Sequence, residues 1–489
     1  MLNEGKSMLF GGLKWSSINK IMTSIFHLVQ VAVLARFLDT DVFGSLAIAM
    51  VVVSFTHVFV EMGVTTALLH KQTISKVQYS SLYWLTIISS LLSYFVLFLV
   101  APIIAELYNS MGLVDVIRVL GLNLILISLG KLHHTFLQKN FMFREIFYGE
   151  SISVLIGTVF AITLCFNGYG IYSLVYSTLI RSVVASLVFI LIDYARHPLL
   201  FTISIHGTLS FYRIGFYSMA TSLLDFLSKE MDIIILGAVL SPSSVGVYTL
   251  SKEFGLRLFR LINPVITSVL SPYFSLMQQQ KEKLKETYLM VVRAMALINF
   301  PIYMIVALGA GEILTVFYGS AYFEGRTVLL FLSLAYAIQA VGSPVGALQV
   351  ATGKTNLGFY WTVVRVIITP VVIYIGSLGG MNMVALSYFI VSLIYQYPAW
   401  RIMIRKMISV PFVNYLRCYV WTLMVMLISL ILSMMICSYI TVSSMILLLC
   451  CKVFIVLSIY AVLTYFMNPK GGHLYVIWIK DIKKHLYSV

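Results

Sequence analysis

Residues 211–240 read FYRIGFYSMATSLLDFLSKEMDIIILGAVL, an apolar segment of helix length crossed by a charged seam. At alternating steps of four and three the seam is Ser218, Ser222, Asp225, Lys229 and Asp232. That spacing places all five on one side of an α-helix. The remaining Leu, Ile, Phe, Met and Ala suit hydrocarbon. Moving back 202 positions gives Ser16, Lys20, Thr23, His27 and Gln30, again polar throughout.

The correspondence continues outward from the two stripes. Leu38-Asp39-Thr40-Asp41-Val42-Phe43-Gly44 aligns with Leu240-Ser241-Pro242-Ser243-Ser244-Val245-Gly246 at the same offset. Both read as short turns in which Ser or Asp caps the next helix. Phe136-Leu137-Gln138 resembles Ala347-Leu348-Gln349, and Ile171–Tyr176 resembles Met383–Tyr388, at slightly larger offsets. The growth in offset falls on the hydrophilic stretch Gln278–Glu286, read as a loop carrying an insertion. Order is kept throughout, so two halves of six helices each form an internal duplication of parallel orientation.

Composition places these helices in a membrane. The 489 residues are 60% hydrophobic and 10% charged, with mean hydropathy +0.96. A soluble exterior needs more charge than that. A span takes roughly 20 apolar residues, and such runs fall near 13–38, 43–69, 80–107, 115–136, 146–166, 170–192, 211–240, 244–272, 288–318, 325–351, 356–377, 381–400, 416–437 and 442–466. The expected fold is therefore all-α and polytopic, with about 14 transmembrane helices. Long continuous runs argue against an outer-membrane barrel. Residues 1–193 form the first six-helix lobe, 194–210 a cytoplasmic linker and 211–405 the second lobe. Residues 406–489 add two helices and a basic tail, Lys480–Lys484.

The net charge of +15 is topology rather than a nucleic-acid footprint. With both ends cytoplasmic, most Lys and Arg, Lys71, Lys131, Lys139 and Arg401 among them, fall in cytoplasmic loops or helix mouths. Only Arg36, Arg118 and Arg326 fall outside. That is the positive-inside asymmetry. No cleavable signal peptide is expected, because no small-residue cleavage site follows the first apolar run. Cys165, Cys418, Cys437, Cys450 and Cys451 show neither metal nor disulfide spacing and read as packing residues.

Ionisable groups inside the spans carry the functional signal, since each costs about 2.5–3.5 kcal/mol at the bilayer centre. Arg365 sits mid-helix among apolar neighbours, which suits an anion contact in a wet cavity or an ion pair with another helix. Arg257 and Arg260 share a helix face at i and i+3. Two guanidinium forks suit a phosphate, or lipid headgroups near a mouth. Lys229 stands within pairing distance of both Asp225 and Asp232. Glu61, one turn after His57, reads as a proton site or a counter-ion. Lys20 and His27 complete the polar positions of a cavity or gate; Arg181 and Lys452 rank lower, as packing contacts. No metal set appears, nor a Gly-Lys-Ser/Thr phosphate loop, Gly-x-Ser-x-Gly or His-Glu-x-x-His motif, so no ATPase or hydrolase is expected.

Further signatures give these helices a family resemblance. Gly12-Leu13-Lys14-Trp15-Ser16, then Leu34-Ala35-Arg36-Phe37-Leu38-Asp39 with Phe43-Gly44, resembles the start of bacterial Wzx-type polysaccharide exporters. So do Asp232–Gly237 with Gly246-Val247-Tyr248, Asn263–Thr267, Asn299-Phe300-Pro301 and Gly342–Gly346. The pattern covers about residues 11–400 and is closest to the colanic-acid branch; Ser241-Pro242 departs from the Gly-Ala common in relatives. This resemblance implies the multidrug/oligosaccharidyl-lipid/polysaccharide exporter superfamily, with two MATE-like lobes and helices 1, 2, 7 and 8 around a cavity. It also implies a flippase for undecaprenyl-pyrophosphate-linked repeat units in a bacterial inner membrane, serving lipopolysaccharide, capsule or exopolysaccharide synthesis. Arg257, Arg260 and Arg365 would hold the pyrophosphate. Lys20, His27, Glu61, Asp225, Lys229 and Asp232 would serve the cavity, gate or coupling. No cofactor is expected; an H+ or Na+ gradient, or the membrane potential, is left as the energy source. Partners would be the lipid-linked oligosaccharide, membrane lipid and a polysaccharide polymerase or export machinery. The alternatives are a drug/cation antiporter of the same superfamily, using the acids, and a membrane polymerase or glycosyltransferase. The short external connections speak against the second.

Overall fold

The structure, a computed structural model, describes all residues except 1, 62, 72–73, 195–198, 440–444 and 468–489. The basic tail Lys480–Lys484 and the Arg196–Pro198 part of the linker lie outside the described residues. Among the described residues every regular element is helical. The fourteen long helices are α1 (Leu2–Leu34), α2 (Thr40–Glu61), α3 (Lys76–Leu107), α4 (Leu113–Lys139), α5 (Phe143–Phe166), α6 (Ile171–Tyr194), α7 (Ile205–Val239), α8 (Pro242–Leu276), α9 (Lys281–Leu308), α10 (Arg326–Gly342), α11 (Asn356–Ser377), α12 (Met381–Ile394), α13 (Val420–Cys437) and α14 (Met445–Met467). Twelve stretches among the described residues are long and apolar enough to cross a membrane. The other two long helices, α7 and α8, have 35 residues each and break their apolar surface with charge. Asp225, Lys229, Glu230 and Asp232 lie on α7; Lys252, Glu253, Arg257 and Arg260 lie on α8.

By contacts the chain forms two compact units: Met1–Leu250 with Thr362–Val384, and Ser251–Trp361 with Ala385–Val489. In the first, α5 packs on α6 and α1, α4 on α3 and α6, and α2 on α4 and α7. With no hydrophobic drive between helices in lipid, close approach of small residues holds such bundles. A Cβ at Gly130 would stand 2.5 Å from the Ser186 Cα, so α4 and α6 meet backbone to backbone there. A polar knot joins α3, α4 and α6: Asp193 Oδ2 lies 2.8 Å from His133 Nδ1 and accepts from the Tyr79 hydroxyl at 3.1 Å. All three side chains are buried. Burial is tolerable because His133 Nδ1, the Tyr79 hydroxyl and Asp193 Oδ2 find one another, while His133 Nε2 has no hydrogen-bond partner among the described residues.

Several boundaries differ from the sequence reading. The span expected over 43–69 ends at Glu61, and a separate short helix runs from Val64 to His70. Gly63 between them has φ +66°, and a Cβ there would run into the backbone of Gly215 on α7. Close approach of α7 therefore fixes the break, and only glycine combines that φ with that space. Only Gln278–Gln280 of the stretch Gln278–Glu286 is a loop: α9 starts at Lys281, with Lys285 and Glu282 paired at 3.2 Å across one turn. Its charges are the solvated first turn of a helix. At the linker, Asp193 lies inside α6, and residues 199–204 are strapped to α3. Leu200 N–H donates to Ser80 Oγ at 3.0 Å, Ser204 N–H donates to Ser81 Oγ at 2.9 Å, and Trp84 stacks on Phe201.

In the second unit α9 packs on α10, α13 and α14. The motif residues Asn263 and Asn299 form a buried reciprocal amide pair between α8 and α9, at 3.4 and 3.3 Å. The Tyr303 hydroxyl donates to the Gly255 carbonyl at 3.2 Å. These bonds satisfy polar groups that lipid would otherwise penalise.

Candidate functional site

The seam on α7 changes character along its length. Ser218 Oγ lies 2.9 Å from Thr66 Oγ1, tying that end to the short helix at an exposed contact. In the middle, Lys229 Nζ stands 3.5 Å from Asp225 Oδ2, with the two side chains 60% and 46% exposed. Asp232 is buried, where it accepts from the Tyr248 hydroxyl at 2.9 Å and from the Ile233 N–H at 2.9 Å. A mid-helix charge pair this exposed in a membrane protein suits a wet surface beside it. Asp232 instead locks α7 to the start of α8.

The matching stripe on α1 is less uniform. Lys20 is exposed and His27 half-buried. Gln30 donates to Ser177 Oγ at 3.2 Å and accepts from Thr158 Oγ1 at 3.4 Å, so this end faces α5 and α6. Next to the stripe, Asn19 donates to Glu150 at 2.7 Å, and His134 stands 3.4 Å from the same carboxylate.

The two duplicated turns meet. A Cβ on Gly44 would run into the carbonyl oxygen of Pro242, and one on Gly246 into that of Thr40. Thr40 and Pro242 are themselves equivalents in the repeat, as are Gly44 and Gly246. Each turn thus touches its counterpart reciprocally, as a local two-fold axis requires. Thr40 Oγ1 and Ser243 Oγ stand 2.5 Å apart.

Glu61 takes the counter-ion arrangement. Lys131 Nζ of α4 lies 2.5 Å from Glu61 Oε1, and His57 Nδ1 lies 4.0 Å from the same oxygen. Lys131, read from sequence as a cytoplasmic-mouth cation, is brought to Glu61 because α2 packs on α4. Beside the pair is a cavity of about 10 Å³ lined also by Thr65, Thr86 and Ser128, room for about one water.

The cations named for an anion fall in different units. In the second, Arg257 Nε stands 3.7 Å from Glu253 one turn back and is 13% exposed, whereas Arg260 is exposed. The shared face is thus one tied and one open guanidinium. Arg365, in the first unit, is half-buried on α11. Lys452 makes its packing contact as an ion pair, 2.6 Å from Glu312.

Sequence reasoning missed Glu312, the Tyr79–His133–Asp193 knot and the Glu150 cluster. The charge of Glu312 within an apolar run was available as a signal; the partners of His133 and Glu150, far away in sequence, were not. Among the described residues no group of three or more His, Cys, Asp and Glu is placed to hold a metal, and Cys165, Cys418, Cys437, Cys450 and Cys451 are free thiols.

Comparison with known proteins places this architecture. The sequence model of the polysaccharide biosynthesis protein family matches residues 33–327. The lipopolysaccharide biosynthesis protein WzxC of Escherichia coli strain K12 is 24% identical over 406 residues, 83% of this chain and 82% of that protein. In shape the chain is similar to the lipid II flippase MurJ in an inward closed conformation, with TM-score 0.75 and 15% identity over 93% of this chain and 98% of the other. It is also similar to an inward-facing MATE family multidrug resistance transporter of the MOP superfamily, with TM-score 0.59 and 16% identity over 84% and 98% of the two chains. The fold is thus the all-helical, polytopic one read from the sequence.

Proposed function

This chain belongs to the polysaccharide biosynthesis protein family, and on that premise we propose that it is a flippase for lipid-linked oligosaccharides, not an enzyme. WzxC serves lipopolysaccharide biosynthesis by name and MurJ flips lipid II; both support carrying a glycan on a polyprenyl pyrophosphate, undecaprenyl in a bacterial inner membrane. The observation that carries the reading is the exposed Asp225–Lys229 pair in the middle of α7. A water-filled path makes such an exposed pair tolerable between apolar helices. The turns at 35–39, 108–112, 167–170 and 240–241 are short, and the longer connection 309–325 is taken up by a short helix and a 3-10 turn, which speaks against the external bulk a polymerase would need for sugars.

The pyrophosphate rests on a guanidinium group that acids leave open, Arg260 of the second unit or Arg365 of the first. Arg260 and Arg365 have no ion-pair partner among the described residues, so they rank above Arg257, whose charge Glu253 partly meets. Glu61, Asp225, Lys229 and Asp232, with Lys20 and His27, serve gating or coupling as alternating access carries the headgroup outward, with both termini cytoplasmic. An ion gradient or the membrane potential supplies the energy, and a polymerase takes the product. Flipping of labelled lipid-linked glycan in vesicles tests this: one of Arg365→Ala and Arg260→Ala should slow it by roughly tenfold or more. Wild-type rates in both variants refute the assigned anion site. Absence of flipping by the wild type refutes the function.

A further inference from the structure

We infer that the second unit holds a separate site for a phosphate-bearing lipid headgroup, in a cleft roofed by the last two helices. It uses none of the residues named for the transported substrate. The cleft has a volume of about 270 Å³ and is lined by Leu308, Glu312, Arg326, Leu330, Met434 and Lys452, among others. Its shape comes from a break in the chain. α9 stops at Leu308, a short helix runs from Ala310 to Tyr318, and a 3-10 turn from Ser320 to Gly325 leads into α10.

Two glycines at the break make the room. A Cβ on Gly309 would lie 2.6 Å from Leu449 of α14, so α14 comes down directly onto the backbone there. A Cβ on Gly311 would lie 2.7 Å from the Phe323 ring, which lies across that residue. The ring carries the Arg326 guanidinium 4.9 Å from its centroid, which holds the cation at the cleft by cation–π attraction.

The charge balance selects an anion. Glu312 is met by Lys452 at 2.6 Å, with side-chain exposures of only 11% and 16%. The acid is thereby neutralised within the wall. Lys452 gives Glu312 one of its three ammonium hydrogens and keeps donors for another oxygen. Arg326 is exposed and has no acidic partner among the described residues. One uncompensated positive charge with a forked donor, beside a second ammonium, fits phosphate oxygens. Apart from Ser438 and Cys437 the remaining wall is apolar, with Met434 of α13 in it, and α13 and α14 carry exposed Met435, Ile446 and Leu447. Acyl chains can stay against that surface while the phosphate reaches Arg326. This also gives the two helices outside the duplication a task.

Purified full-length protein can be titrated with dihexanoylphosphatidylglycerol, glycerol phosphate or inorganic phosphate while the thermal unfolding midpoint is followed. The short-chain lipid should raise the midpoint at a concentration about tenfold below that needed for glycerol phosphate. Arg326→Gln, on an exposed side chain that leaves the core intact, should raise the half-saturating lipid concentration by about tenfold, and Arg326→Lys by less. Equal potency of the lipid and the two free phosphates, all weakened by Arg326→Gln, assigns the same cleft to a free phosphate and overturns its assignment to lipid. Titration of Arg326→Gln indistinguishable from wild type, or no shift with any probe, overturns the site. The readout is binding, so its failure leaves the flippase reading intact.

Discussion

Each unit holds an acid paired with a lysine from a distant helix, and the surroundings of the two pairs differ. Glu61 and Lys131 join α2 to α4 at 2.5 Å, with side chains 31% and 28% exposed and room for about one water beside them. Glu312 and Lys452 join the α9 break to α14 at 2.6 Å, more deeply buried yet bordering an open cleft. The first pair is partly wet but borders no space larger than a water, and it acts on its own helices. The second neutralises a wall so that the neighbouring arginine sets the charge of a space large enough for a ligand. Nearly identical geometry thus serves different ends according to what is left empty around it.

The largest effect should come from breaking the more buried pair. Lys452→Met leaves the Glu312 carboxylate uncompensated and should cost about 4 kcal/mol of unfolding free energy. Equilibrium unfolding in detergent measures this. The double change Glu312→Leu with Lys452→Met should recover most of the loss, because removing both charges also removes their desolvation cost. Failure of the double variant to recover would show that the pair holds α14 by more than charge. Lys131→Met should cost less, about 2 kcal/mol, since its partner is partly wet and His57 remains nearby. A loss equal to that of Lys452→Met would erase the distinction in burial. Smallest is Lys229→Ala: its exposed pair with Asp225 should contribute no more than about 0.5 kcal/mol to stability, while the flipping rate falls. A stability loss above about 2 kcal/mol would make the α7 seam a structural element and remove it from the pathway.

The helical periodicity of the seam, the repeat and the apolar spans were legible in sequence because each follows from neighbours on one helix. Asp225–Lys229 and Arg257–Glu253 are one turn apart, so spacing alone finds such pairs. Lys131 reads in sequence as a helix-mouth cation, and its partner appears only when another helix presents Glu61 to it. Nothing local marks the break of the expected 43–69 span at Gly63, whose left-handed φ answers to the backbone of Gly215. Gln278–Glu286 looked like a loop because a solvated first turn and a loop share the same polar composition.

By itself the sequence determined that this is a duplicated, all-helical membrane protein with polar stripes on its first and seventh helices. Hydrocarbon permits few kinds of backbone, and a helix repeats its faces on a fixed period. Tertiary structure alone decided which charges are satisfied and which stand open: Glu61 with Lys131, Glu312 with Lys452, Asp232 with Tyr248. Those outcomes depend on which helices touch, and contact between residues far apart in sequence follows from the packing of the whole bundle rather than from any local spacing.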